Sequence, residues 1–116
     1  MADKIILIDT SILIDYYRKT DKNNTAWVKL VREGYGFNIS VITKYEIYSG
    51  AKPVQIEFWD TILKSVSVLP LDEHCIDTAV RLNADLKTKR KQIDLADLFI
   101  AATAVTYDLT VATLNR

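Results

Sequence analysis

Lys4-Ile5-Ile6-Leu7-Ile8-Asp9 is an aliphatic run that stops on an acid, and Thr10-Ser11-Ile12-Leu13-Ile14-Asp15-Tyr16-Tyr17-Arg18 follows with no loop between them. A short continuous apolar run suits a parallel strand buried on both faces. A hydroxyl residue ahead of apolar positions at helical spacing marks a helix start, here capped by Thr10 or Ser11 and running over Ile12–Lys19. A strand that leads directly into a helix is the first half of a βαβ unit.

The rest of the chain repeats the alternation. A second helix is predicted from Asp21 or Asn24 to Glu33, broken by Gly34 and Gly36, followed by a strand over Phe37–Ile42. Thr43 heads a short helix ending at Gly50, and Thr43-Lys44-Tyr45-Glu46 has capping-box spacing. Pro53 opens a helix that runs to Lys64. Ser65–Leu69 reads as a strand stopped by Pro70. Asp72 caps a helix over Glu73–Thr88, Asp94 caps another that runs to Tyr107, and Leu109–Thr113 is a last strand. Strands alternating with helices predict an α/β fold of three layers, α/β/α, around a central parallel sheet.

Composition bounds the function classes. The chain has 116 residues, one domain's worth, of which 49% are hydrophobic and 26% charged. Fifteen basic and fifteen acidic residues cancel, which argues against a protein that coats nucleic acid by charge alone and leaves room for a basic rim around an acidic site. Cys75 is the single cysteine, so no internal disulfide forms. The start of the chain has neither a membrane-span length nor a signal-peptide pattern, and a cytoplasmic protein with no membrane association is the expectation.

In a parallel α/β sheet, ligands bind at the carboxyl ends of the strands. Asp9 stands at such an end, where packing gives an acid no work, and the Thr10 and Ser11 hydroxyls beside it suit the orienting of a carboxylate or of water. Many strands end in Asp simply as a turn residue, and that reading stays open. Glu46 has a local explanation in the capping box. Asp94 and Asp97 share a helix face. Asp94 serves as the cap, which leaves Asp97 in the first turn, where the helix dipole also favours an acid. His74 and Cys75 are adjacent on a helix and point apart, so they make no dyad. A lone histidine also excludes paired-histidine acid–base chemistry. Lys87, Lys89, Arg90 and Lys91, with Arg18 and Lys19, are either a rim for a polyanion or solvated helix ends. Tyr16, Tyr17, Trp27, Tyr45, Tyr48 and Trp59 read as core or interface.

The segments IDTSILIDYYR, TKYE, IDLADLFIAATA and VATLN, in this order and spacing, resemble the PIN domain, in particular the VapC-type toxins of bacterial toxin–antitoxin pairs. The resemblance spans nearly the whole chain. It implies a metal-dependent endoribonuclease in which Asp9, Glu46 and Asp97 hold Mg²⁺ or Mn²⁺. Its RNA products carry 5′-phosphate and 3′-hydroxyl ends, and its partners are a cognate antitoxin and a second copy of the chain. The family's fourth acid falls at or just after Asn115, one residue before the last, so the resemblance implies a single domain over 1–116 that either lacks the family's C-terminal end or lacks the fourth acid itself. Ser11, Asp94, Thr113 and Asn115 are then accessory. Two other readings stand beside it. One is a catalytically weak binding module for an antitoxin or RNA. The other is a phosphatase with an Asp nucleophile, whose usual second Asp is replaced here by Ser11.

Overall fold

The computed structural model describes residues 4–114. Four strands, β1 (Lys4–Ile8), β2 (Tyr35–Ser40), β3 (Ser67–Leu69) and β4 (Val111–Ala112), form one sheet in the order β3-β2-β1-β4. All pairings are parallel, with Ile6 opposite Phe37, Ile39 opposite Val68 and Leu7 opposite Val111. Six α-helices connect them: α1 (Thr10–Arg18), α2 (Ala26–Arg32), α3 (Val41–Gly50), α4 (Ile56–Leu63), α5 (Glu73–Thr88) and α6 (Leu95–Thr106). The three-layer α/β/α architecture expected from the strand–helix alternation is the one observed.

Side chains alternate across a strand, so the apolar run of β1 feeds both faces of the sheet. Ile6 and Ile8 join Ile12, Leu13, Trp27, Ile39, Ile47 and Trp59 on one side. Leu7 faces the other way, against Ile100 and Ala104 of α6. Ala102 and Ala104 are both buried, and these small side chains let α6 lie close to its neighbours. On the first face Tyr16, Trp27 and Phe58 pack ring against ring beside Tyr17 and Trp59, at centroid separations of 5.0 to 6.3 Å. The expectation of core placement holds for these residues. Tyr45 is 71% exposed, which leaves it the interface half of the expectation.

Several boundaries differ from the sequence reading. β1 ends one residue earlier than expected, and Asp9, not Thr10 or Ser11, caps α1 by accepting from the Ile12 amide. The second helix is split: Asp21 caps a 3-10 turn over Lys22–Asn24, and Thr25 caps α2 separately. Gly36 lies inside β2 and breaks nothing. Gly34, at φ +91°, is the glycine that ends α2, in a left-handed conformation that costs other residues about 1–2 kcal/mol. Ser40 caps α3 through the Thr43 amide, so Thr43 lies inside the first turn and is not its cap. Residues Pro53–Gln55 form a 3-10 turn ahead of α4. β4 is two residues long where five were expected.

The strand order reverses direction at β1. The chain moves outward through β2 and β3, then returns to place β4 on the opposite side of β1. The carboxyl ends of β1 and β4, where the order reverses, are the usual ligand position in open α/β sheets.

Candidate functional site

A cavity of about 320 Å³ forms a crevice at these strand ends, lined by Asp9, Ile93, Asp97, Ile100, Ala101, Val111 and Thr113. Asp9 reaches it from the end of β1 and is 6% exposed. Asp97 reaches it from the first turn of α6. Two acids far apart in sequence therefore border one space, and Ile93, Ile100, Ala101 and Val111 supply an apolar wall.

Asp9 is held from two sides. Its Oδ1 accepts from the Ile12 amide at 3.3 Å and from the Ser11 hydroxyl. Ser11 Oγ also accepts from the Leu114 amide at 2.9 Å and lies 3.4 Å from Thr113 Oγ1. Ser11 thus ties the end of β1 to the segment leaving β4. The Asp9 amide reinforces the same seam by donating to the Ala112 carbonyl.

Glu46 does not reach back to Thr43 in a capping box. Its Oε1 accepts from the Thr10 hydroxyl at 2.6 Å, a side-chain bond that joins α3 to α1. Glu46 lines a smaller cleft between these helices with Arg18, Tyr17, Gln55 and Trp59, next door to the Asp9–Asp97 cavity. Among the described residues, no three Asp, Glu, His or Cys side chains stand close enough together to hold one metal ion as they are posed. The acids nevertheless sense one another. Partial burial pushes the Asp97 carboxyl above its ordinary range, and the nearby charges of Asp94, Glu46 and Asp9 push it further in the same direction.

Asp94 stands at the cap position of α6, but its side chain makes no capping hydrogen bond. Its charge therefore acts at the site on Asp97 instead of on the helix end. Asn115 lies outside the described residues. His74 and Cys75 take no part in the crevice: His74 lies in the first turn of α5 and Cys75 is fully buried. The basic run follows α5, where Lys89 pairs with Asp85 at 3.0 Å and Arg90 adopts φ +55°. Ile93, a few residues on, lines the acid cavity, and Leu95 beside it is 64% exposed. Lys19 is engaged with Asp15 at 3.0 Å.

Sequence reasoning missed Thr10 and Thr43 as neighbours of Glu46, because both were read as helix caps. Their hydroxyls stand 3.3 Å apart. No local spacing carries such a signal, since the partners lie 33 and 36 residues away.

The donor set suits a hard divalent ion. Carboxylates and hydroxyls are oxygen ligands of the kind Mg²⁺ and Mn²⁺ prefer. Two carboxylates about 4 Å apart in a partly buried setting repel by roughly 4 kcal/mol, and a cation relieves that repulsion.

The family model described as "PIN domain" matches residues 6–116. The chain is 33% identical over 112 residues to Ribonuclease VapC1 of Methanocaldococcus jannaschii, covering 96% of this chain and 76% of that protein. Among solved structures, FitAcB from Neisseria gonorrhoeae aligns with a TM-score of 0.78 at 28% identity, over 95% of this chain and 87% of that one. A toxin–antitoxin complex from Klebsiella pneumoniae aligns with a TM-score of 0.74 at 27% identity, over 95% and 86%.

Proposed function

The chain belongs to the PIN-domain family, and on that premise we propose that it is an endoribonuclease that hydrolyses RNA phosphodiesters with a divalent cation held by Asp9, Glu46 and Asp97. Mg²⁺ and Mn²⁺ are the cations its oxygen ligands favour. The single observation that best supports this reading is that Asp9 and Asp97 border one cavity at the reversal point of a parallel sheet.

When bound, the cation supplies charge neutralisation and Lewis-acid activation of water and of phosphate oxygens. The protein's own groups do the rest. Asp9 is oriented by the Ser11 hydroxyl and the Ile12 amide, both donating to its Oδ1. Asp97 is the most repelled, so its deprotonated form gains most from a cation. The apolar wall of Ile93, Ile100, Ala101 and Val111 limits water around the scissile phosphate. Lys87, Arg90 and Lys91 form a basic edge, leading into Ile93, that draws in the RNA backbone. With no second histidine the chain lacks a paired-histidine acid and base for attack by a ribose 2′-hydroxyl, and attack by cation-activated water leaves 5′-phosphate and 3′-hydroxyl ends.

The biological setting we propose is the toxin half of a toxin–antitoxin pair that acts as a homodimer and is neutralised by a partner protein. Support comes from the Klebsiella pneumoniae neighbour, a toxin–antitoxin complex. The absence of a ready-made acid triple among the described residues favours one competing reading, a binding module with little catalysis.

Cleavage of a structured RNA with Mn²⁺, by the purified chain beside Asp9→Asn and Asp97→Asn, tests the proposal. Each variant should lose more than about 100-fold, since the outer partners of a metal site alone are worth 10–100-fold. Cleavage unchanged in either variant contradicts the assignment. Absence of cleavage by the parent chain, with RNA binding intact, points to the binding module.

A further inference from the structure

Thr10 follows directly on Asp9 and carries the hydroxyl that touches Glu46. Its Oγ1 lies 2.6 Å from Glu46 Oε1 and 3.3 Å from the hydroxyl of Thr43, which is fully buried. A hydroxyl has one proton, and an ionised carboxylate only accepts. The 2.6 Å contact is the shorter of the two, so Thr10 spends its proton on Glu46, and the Thr43 hydroxyl stands behind it at 3.3 Å. The bond ties the first turn of α1 to α3 at Glu46.

Thr43 and Glu46 lie three apart on one helix, so they share a face. Ser40 already caps that helix through the Thr43 amide, which leaves the Thr43 side chain unneeded there. Arg18 lines the same cleft as Glu46. A carboxylate released from Thr10 has a cation to turn to.

We propose that Thr10 is a positioning residue that anchors Glu46 to the first turn of α1, one residue from Asp9, and so sets the place from which the third acid reaches a divalent cation. This rests on the cation-dependent reading above. Thr10 itself touches neither the cation nor the RNA in this account. Its whole effect runs through Glu46.

The test is Mn²⁺ binding measured by titration calorimetry on the full chain without RNA, so that catalysis is not the readout. Thr10→Val keeps the shape and removes the hydroxyl, and should weaken Mn²⁺ binding about 10-fold, the lower end for losing an outer partner of a metal ligand. Thr10→Ser keeps the hydroxyl and should bind within about twofold of the parent. Placed in a Glu46→Gln background, Thr10→Val should add nothing, because the group it acts through is already altered. A merely structural role for Thr10 predicts the opposite: equal losses in both backgrounds, and no rescue by serine.

The proposal is overturned if Thr10→Val binds Mn²⁺ like the parent, if Thr10→Ser is as impaired as Thr10→Val, or if the loss persists undiminished on Glu46→Gln. Should Thr10→Val not fold, as judged by circular dichroism and melting, Thr43→Val replaces it with the same expected direction. Asp9→Asn separates the two levels of failure. Lost binding in Asp9→Asn beside normal binding in Thr10→Val sinks the positioning role alone. Equal Mn²⁺ binding by the parent and Asp9→Asn sinks the cation site and the positioning role together.

Discussion

Asp97 is a charge that its surroundings resist. Burial and three neighbouring carboxylates hold its folded pKa above the ordinary 3.8, so the folded state binds more protons there than the unfolded chain does. Stability of the cation-free protein therefore falls as pH rises through that window and is lowest once Asp97 is ionised. Asp97→Asn should raise the melting temperature of the cation-free protein at neutral pH while abolishing cleavage. Its advantage should shrink as pH is lowered toward 3.8, as melting curves across pH will show. Asp15 behaves in the opposite sense. It accepts from the Ala26 amide at 3.0 Å, at the head of α2, and that bond with nearby Lys19 holds its carboxyl below 3.8. Its contribution is present above 3.8 and is lost as pH falls below it. Asp15→Ala should cost about 1 kcal/mol at pH 7 by urea unfolding, as for other carboxylates at helix starts. At this scale Asp9 and Asp97 stood out as candidates because neither has a packing task in the sequence pattern, and the fold sets both on one cavity. Glu46 was legible only through family resemblance. Its local pattern pointed to a capping box, and the true contact, with Thr10, lies 36 residues away.

Helices α5 and α6 end in the same way without glycine. In α5 the Lys91 amide donates to the Leu86 carbonyl at 2.8 Å and Arg90 to Lys87 at 3.0 Å; in α6 Leu109 donates to Ala104 at 2.8 Å and Asp108 to Val105 at 3.2 Å. Both are Schellman closures, with Arg90 at φ +55° and Asp108 at φ +56° in the left-handed position that glycine usually fills. Asp108→Gly should therefore stabilise the protein by about 1 kcal/mol, read as a higher urea midpoint with an unchanged slope. Packing on α6 should be as sensitive. Ala104 is 2% exposed against Leu7 and Ile100, so Ala104→Leu should cost about 1–3 kcal/mol through overpacking. Helix existence was legible from caps and apolar spacing at every element. Ends were less so, and for physical reasons. Ser40 lies inside a run that reads as strand to Ile42, which hides the start of α3 at Val41, and β4 is an edge strand paired with β1 alone, so only two of its five apolar-patterned residues qualify as strand.

At the scale of the whole molecule, one topological fact organises the rest. The chain reverses its direction of winding at β1, and the reversal sets Asp9 of β1 and Asp97 of α6 on either side of a crevice. The sequence carried the parallel three-layer sheet in its alternation of strands and helices and set Asp9 at a strand's carboxyl end, but strand order has no local signature, so which strand lies beside β1 there was not legible. If the crevice is a cation site, a cation at about 100 times its dissociation constant stabilises the fold by about 2.7 kcal/mol. For a domain of this size that is on the order of 10 °C in melting temperature. The most direct measurement is anomalous diffraction from crystals of the chain soaked in Mn²⁺. The account predicts a peak in the crevice between Asp9 and Asp97, with Glu46 turned to it and the peak lost in Asp9→Asn. A crevice without a peak at saturating Mn²⁺, or an ion bound only at other carboxylates, would contradict it.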